Sequence, residues 1–141
     1  MEVRISVRSL VEFILRSGDI DNRKAAAPDN AMQEGGRIHR MIQRRMGPEY
    51  QAEVGLRYLY RVENYDNPVS ELSDKADSVP GCYDIIIEGR ADGIIKKDEV
   101  TIDEIKGTFH DLKKMKEAVP VHLAQAKCYA YIYAEQKQLK E

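Results

Sequence analysis

Residues 88–109 read EGRADGIIKKDEVTIDEIKGTF, two apolar stretches joined by the charged turn KKDE. This pattern predicts two strands that pair back on each other as a hairpin. A plain core hairpin does not need acids in both strands and a lysine near its end, yet Asp92, Glu104 and Lys106 stand there. Because residues two apart on a strand point to the same face, we expect Glu104 and Lys106 to share a face and Asp103 to project from the other.

The chain on either side of this hairpin predicts helices and further strands. Alternating apolar residues are typical of strands, apolar residues three and four apart are typical of helices, and proline favours the first turn of a helix. Asp29 or Asn30 is the expected N-cap of the second helix. The predicted elements are a strand at 2–7, a helix at 6–18 that stops at Gly18, a helix at 32–46, a strand at 50–63, a polar and mobile connection at 64–81, strands at 82–95 and 100–109, and a helix from Pro120 to the C-terminus.

These elements predict one α/β domain over residues 1–141. A chain of this length buries a single core, and this order of helices and strands favours a mixed or antiparallel central sheet flanked by helices. No apolar run approaches the roughly 18 to 20 residues needed to cross a bilayer, so we expect no membrane contact. The two cysteines, Cys82 and Cys128, form no framework, which is typical of a reduced, cytoplasmic protein.

The charge distribution is compatible with an enzyme that acts on nucleic acid. A formal net charge of −2 argues mildly against a protein that coats DNA. However, carboxylates that hold a metal count as negative until the metal arrives, and the segment GRIHRMIQRR forms a local basic patch. Its arginines, which either guide a nucleic-acid backbone or form a solvated helix face, are Arg37, Arg40, Arg44 and Arg45.

The predicted hairpin brings Asp92 towards Glu104. Two carboxylates within about 4 to 6 Å repel each other, so either one is protonated or a cation lies between them. Oxygen ligands with open water positions suit Mg²⁺ or Mn²⁺ better than zinc. A lysine beside such an ion, here Lys106, can stabilise or orient a hydroxide that attacks a phosphodiester. The plainer interpretation is a set of ordinary exposed cross-strand pairs on a half-solvated sheet.

Four short motifs follow one another between residues 34 and 129. They are the helical histidine His39, the segment Gly89-Arg90-Ala91-Asp92, the triplet Glu104-Ile105-Lys106, and the pair Gln125 and Tyr129 on one helix face. In this order they resemble the PD-(D/E)xK nuclease superfamily, and more specifically its RecB-type branch, which includes the nuclease domains of helicase–nucleases and CRISPR-associated exonucleases. The resemblance implies a restriction-endonuclease-like core within the α/β fold.

The resemblance also implies a role for each matching residue. Asp92, Glu104 and Lys106 would be the catalytic residues, with Lys106 as the base. The implied metal ligands are His39, Asp92, Glu104 and the main-chain carbonyl of Ile105, and the implied nucleic-acid-binding residues, which orient the substrate end or the metal-site waters, are Gln125 and Tyr129. The imidazole in this set favours Mn²⁺ as well as Mg²⁺, because it is a softer donor than a carboxylate.

Residues close to these motifs are secondary candidates. Glu53 lies on the strand before the hairpin, where related enzymes sometimes carry a supporting acid. His110 and His122 flank the last helix, and we expect them at the surface or in contact with a passing phosphate. Gly35 and Gly36 would allow a close backbone approach near the helical histidine.

The sequence departs from the family pattern at three points. Ala91 stands where the superfamily's name has proline. With Cys82 and Cys128 alone, the four-cysteine iron–sulfur cluster of the CRISPR-associated members is impossible within the chain, so we expect none. The family core normally adds a strand after the last helix. Either the domain is truncated there, or something else completes it. We expect the N-terminal module of a larger protein, with a helicase domain in cis or in trans.

These observations predict a metal-dependent nuclease that hydrolyses DNA phosphodiester bonds, acting as an exonuclease in DNA repair or recombination. The alternative is a nuclease-like fold kept as a non-catalytic DNA-binding or scaffolding domain. A third interpretation is an unrelated small α/β binding module that matches the motifs by chance.

Overall fold

The structure of the protein is a computed structural model that describes residues 1–16, 30–65, 81–109 and 111–139. Its elements, in chain order, are β1 (Glu2–Ser6), α1 (Val7–Ile14), α2 (Ala31–Arg45), β2 (Tyr50–Tyr65), β3 (Gly81–Lys96), β4 (Val100–Asp103), a short 3₁₀ turn (Leu112–Lys114) and α3 (Pro120–Lys137). The first helix ends at Ile14, so the expectation that it continues to a stop at Gly18 is wrong. The expectations that fall outside the described residues are the cap at Asp29, the connection over 66–80 and His110. None of the described helices is long and apolar enough to span a membrane.

The strands form one mixed, open sheet of four strands flanked by helices, which confirms the predicted α/β class. Three strands lie in the order β1-β3-β2, and β4 also pairs with β3. β2 runs antiparallel along almost the whole length of β3. β1 is parallel to β3, whereas β4 is antiparallel to it. The sheet is therefore organised around β3, which contacts every other strand.

One edge of β3 has a gap in its pairing. β2 occupies one edge, so β1 and β4 share the other. β1 pairs with β3 as far as Glu88, and β4 pairs with it only from Gly93 onwards. Residues 89–92, the segment GRAD, therefore have no strand partner on that edge within the described chain. Their polar backbone groups must be satisfied in another way.

The opposite edge of β3 is interrupted at the same place. β2 and β3 pair on both sides of Glu53, but no pair joins Glu53 to Asp92. Glu53 has a φ of 54°, in the left-handed region that side-chain-bearing residues rarely adopt. Ala91 and Ile94, which would point to opposite faces of a regular strand, both belong to one buried cluster. The face alternation of β3 thus changes at Asp92, which has no strand partner on either edge.

The second strand of the predicted hairpin is shorter than expected. The sequence predicted a strand over 100–109, but β4 ends at Asp103 and the next residues have no regular structure. The chain leaves the ladder because the N–H of Ile105 donates to the carboxylate of Asp92 at 2.7 Å instead of to a backbone carbonyl. The expectation that a regular strand carries the ExK triplet is therefore wrong.

The core forms where α3 lies on the sheet. Tyr129, Ile132 and Tyr133 of α3 are buried in one cluster with Leu56 of β2 and Ala91 of β3. α3 begins at Pro120, as the sequence predicted, because proline fits the first helical turn without losing a hydrogen bond. The buried face of α3 therefore fixes the position of the residues that it presents to the GRAD segment.

Helix α2 is attached to the sheet without a buried apolar face. It begins one residue before the expected start and has no fully buried residue. Asn30 occupies its N-cap position, but the Asn30 side chain makes no capping hydrogen bond. A Cβ at Gly35 would have no heavy atom within 4 Å, so no close contact requires glycine at this position. The polar side chains of α2 make its contacts to the site.

We predict that Gly89→Ala destabilises the protein. A Cβ at Gly89 would lie 2.7 Å from the Tyr129 hydroxyl oxygen and 2.8 Å from Tyr129 Cε1, and Tyr129 is fixed in the core. Overpacking of this kind costs about 1–3 kcal/mol of unfolding free energy. Urea unfolding should show this loss. The matched control is Gly55→Ala on β2, where a Cβ meets no heavy atom within 4 Å. Equal stability of the two variants would contradict the packing described.

Candidate metal centre

Asp92 is the centre of a cluster of polar groups. Its Oδ2 accepts the hydrogen bond from Ile105, and its Oδ1 lies 3.3 Å from Nδ1 of His39 on α2. Its main-chain oxygen, which has no strand partner, accepts hydrogen bonds from Nε2 of Gln43 at 3.1 Å and from the hydroxyl of Tyr50 at 3.3 Å. The break in the ladder is thus satisfied by side chains, and these bonds fix the position of Asp92.

Tyr50 holds Asp92 and Asp103 in place together. Its hydroxyl lies 3.0 Å from Oδ2 of Asp103 as well as near the Asp92 carbonyl oxygen. Burial raises the pKa of Tyr50, and the hydrogen bond to Asp103 raises it further, so the hydroxyl remains a donor across the physiological range. A Cβ at Gly93 would overlap the Tyr50 ring, which shows why glycine follows Asp92.

Three side chains converge on one point. His39, Glu53 and Asp92 each offer a ligand atom, and these atoms all lie within 4.8 Å of one another. Glu53 is oriented by two neighbours, because its Oε1 accepts from Gln43 at 2.9 Å and its Oε2 lies 2.8 Å from Nε of Arg90. One imidazole and two carboxylates form a donor set that Mn²⁺ and Mg²⁺ accept, with positions left for water.

Glu104 lies beside this group with its carboxylate buried. Its side chain is only 6% exposed, its Oε1 forms an ion pair with Lys106, and its Oε2 is buried without a hydrogen-bond partner. Burial raises the pKa of Glu104, Lys106 offsets part of this rise, and the charge on Asp92 adds to it. A buried, unpartnered carboxylate oxygen is unfavourable unless a proton or a cation reaches it.

The predicted ligand set and the observed cluster overlap in part. The structure brings His39 and Asp92 together, but the third residue within ligand distance is Glu53, which the sequence suggested only as a supporting residue. Glu104 is close enough to affect the charge balance of the site but is directed towards Lys106. Ile105 is adjacent through its N–H rather than through a contact of its carbonyl.

Gln125 and Tyr129 lie beneath the site. They are 8% and 3% exposed, and Nε2 of Gln125 donates to the Tyr129 hydroxyl at 3.4 Å. Burial raises the pKa of Tyr129, and its hydroxyl also accepts from the backbone N–H of Arg90 in the unpaired segment of β3. Tyr129 therefore supports the GRAD segment from the core side, and Gln125 bonds to Tyr129.

Cationic side chains lie beside the acidic cluster, where Lys106 is paired with Glu104 and Arg90 with Glu53. Burial lowers the pKa of His122, and the nearby cations Lys106 and Arg8 lower it further. The arginines predicted to face a nucleic-acid backbone are all exposed on α2, namely Arg37, Arg40, Arg44 and Arg45. Arg37 is paired with Glu34 at 2.9 Å. Arg40, Arg44 and Arg45 therefore place positive charge on the exposed surface of α2.

Comparison with known proteins assigns no family to the chain. No family model matches it, and neither a curated protein nor a solved structure is significantly similar to it. Function is therefore inferred from the arrangement of these side chains: three convergent ligand atoms, one unpartnered buried oxygen and an adjacent lysine.

We predict that Glu104→Gln stabilises the metal-free protein at pH 7. Burial of a charged carboxylate is unfavourable, and the amide that replaces it carries no charge. Lys106 is 35% exposed and can turn to solvent when its partner becomes neutral. Urea unfolding in a chelating buffer should show a gain of about 1 kcal/mol for the variant.

The pH dependence of this gain provides its control. Because the pKa of Glu104 is raised in the fold, protonation favours the folded state, and this contribution is present below the unfolded pKa and lost as pH rises. The two proteins should therefore have equal stability below about pH 4. Asp98→Asn in the exposed turn should give no gain at either pH. Lower stability of Glu104→Gln at pH 7 would contradict the burial cost.

Proposed function

We propose that the protein is a divalent-metal-dependent nuclease that hydrolyses DNA phosphodiester bonds with the site arrangement of the RecB-type PD-(D/E)xK branch. The observation that carries this proposal is the convergence of His39, Glu53 and Asp92 beside the unpartnered oxygen of Glu104. Lys106, which forms an ion pair with Glu104, completes the set of groups that metal-assisted phosphodiester hydrolysis uses.

The donor atoms fit Mg²⁺ or Mn²⁺. His39 and Asp92 would hold the ion, Glu53 and Glu104 are the acids available to complete the set, and the Ile105 carbonyl belongs to the proposed ligands. A cation near Glu104 would satisfy its unpartnered oxygen. When bound, the ion supplies charge stabilisation at the phosphoryl oxygens and lowers the pKa of a water molecule.

The remaining side chains orient these groups. Gln43 bonds both to Glu53 and to the Asp92 carbonyl, so one amide sets the distance between two acids. In the proposed reaction Lys106 acts as the base or orients the attacking water, and it needs to leave its ion pair with Glu104 to do so. Tyr129 stabilises the segment that carries Asp92 from the core side.

A restriction-endonuclease-like core is part of the proposal. Its support is the mixed sheet with α3 packed on one face. β4 pairs only with β3 among the described strands. Beside β4 lies a groove of about 410 Å³, and its apolar lining includes Val100, Ile102 and Tyr133. We propose this free edge as the place where a further strand would pair.

The proposed nuclease cleaves from DNA ends, in repair or recombination. Its proposed partner is a helicase, in cis or in trans.

We predict that the metal-binding site is defined by a titration with Mn²⁺ and Mg²⁺. Calorimetry should detect binding to the natural sequence and its loss in Asp92→Asn and His39→Ala. A ligand present at 100 times its dissociation constant stabilises the fold by about 2.7 kcal/mol, so unfolding experiments should give the same result. Comparing the metal affinities of Glu53→Gln and Glu104→Gln identifies which of these two carboxylates also binds the ion. Asp98→Asn, in the exposed turn, should bind normally. Unchanged binding to Asp92→Asn would refute the site.

We predict that the protein cleaves labelled linear DNA in the presence of Mn²⁺ or Mg²⁺. Loss of a general base lowers rates by about 10²–10⁴-fold, so Lys106→Ala should lose cleavage while keeping metal binding. Lys97→Ala, in the exposed turn, should keep full activity. Cleavage of linear but not circular DNA identifies an exonuclease. A protein that binds the metal and DNA but cleaves neither substrate would be the non-catalytic alternative.

A further inference from the structure

A cleft lies next to the candidate metal centre, between α2 and the chain that follows β4. Its volume is about 190 Å³. One wall reaches the site because Ile38 immediately precedes His39, and the other does so because Gly107 immediately follows Lys106. The lining residues are Ala31, Glu34, Gly35, Ile38, Gly107, Thr108 and Phe109. None of them is among the candidate metal ligands or the proposed catalytic residues.

The size of the cleft suits one flat ring. A Cβ at Gly107 would lie 3.5 Å from Cδ1 of Ile38 and 3.9 Å from the Cα of Gly35, so α2 and the chain after β4 are in close contact at that point and the open space lies beside it. The volume is below the roughly 300–1,000 Å³ typical of pockets for drug-sized molecules. A slot of this size with glycine and aliphatic walls accommodates a single planar group.

Phe109 forms an exposed aromatic wall of the cleft. Its side chain is 68% exposed, although a phenylalanine normally buries its ring. A flat, exposed ring beside a narrow apolar slot is the arrangement on which single-stranded nucleic acids stack their bases. An exposed aliphatic residue, Leu112 at 70%, follows on the same segment and offers no such ring.

The charge around the cleft favours a polyanion over an apolar peptide. Between residues 106 and 116 the described chain carries four lysines against one aspartate, Asp111. Asp111 is engaged as the cap of the 3₁₀ turn, where it accepts from the N–H of Lys113 at 3.0 Å. Glu34, the acid in the cleft wall, is paired with Arg37 at 2.9 Å. Apolar walls within a basic surface fit a base attached to a phosphate backbone.

We propose that this cleft binds the base of an unpaired nucleotide next to the scissile phosphate, with Phe109 stacked on the base. This inference rests on the proposed nuclease function and specifies its substrate as single-stranded DNA or a frayed end. A base inside a duplex is stacked on both faces and paired, so it cannot enter the slot without being extruded. The metal centre beside the cleft would then face the phosphate joined to the bound nucleotide.

Equilibrium binding of fluorescein-labelled oligodeoxynucleotides to the full chain tests the proposal, with EDTA present so that neither metal binding nor cleavage contributes. Phe109→Ala should weaken binding of a single-stranded oligonucleotide about tenfold, the lower part of the effect seen when a stacking aromatic is removed. Phe109→Tyr should restore it. Leu112→Ala, an equally exposed change on the same segment, should bind as the natural sequence does. Since Phe109 is exposed, all variants should keep their melting temperatures.

Two further substrates separate base stacking from electrostatic attraction. A blunt duplex of the same sequence should bind the natural chain and Phe109→Ala equally. An oligonucleotide made entirely of abasic sites should also bind the two proteins equally. Equal affinity of both proteins for the normal single strand would overturn the proposal, and so would an equal loss on all three substrates. Because no metal is present, either result is independent of whether the metal titration supports the nuclease.

Discussion

Asp92 has to be held in the middle of a sheet without a strand partner on either edge, and the site depends on how this is achieved. On one edge the pair with Glu53 is missing, and on the other Asp92 lies in the gap between β1 and β4. Backbone groups in such a position must find other partners. Gln43 and Tyr50 bond to the main-chain oxygen of Asp92, and the N–H of Ile105 bonds to its carboxylate. Polar groups from distant parts of the chain therefore meet at this gap in the strand pairing.

The site is less stable than its surroundings, and the core compensates for it. A left-handed φ at a residue with a side chain costs about 1–3 kcal/mol, and Glu53 has one. The buried, unpartnered oxygen of Glu104 adds a further cost. These features are compatible with a stable fold because α3 buries Tyr129, Ile132 and neighbouring side chains against the sheet directly beneath them. Backbone strain and unsatisfied polar groups of this kind are concentrated at functional positions. At other positions in a sheet, ordinary strand pairing avoids them.

The sequence predicts those features of the fold that local periodicity determines. Alternating and helical apolar patterns located β1, β2, β3 and the starts of β4 and α3 within a few residues, because each pattern depends on neighbours in the chain. The role of Glu53 could not be predicted in the same way. It depends on the register of β2 against β3, and these strands are joined through a long connection that does not fix the register. Its left-handed φ has no signal in the sequence, since glutamate does not favour that region. His39 and Asp92 were found because their motifs can be recognised without knowing the register.

The early end of β4 connects the candidate metal centre to the neighbouring cleft. If the strand had continued to residue 109, as its apolar pattern predicted, the N–H of Ile105 or its neighbours would pair with β3 and close the gap beside Asp92. Instead the chain leaves the ladder after Asp103, and Ile105 bonds to the Asp92 carboxylate. The same departure carries Gly107 towards Ile38 of α2 and leaves Phe109 exposed. One interruption of regular pairing therefore both frees the acidic cluster and forms the slot beside it, which is why a base-binding surface and a phosphodiester site would occur together on this segment.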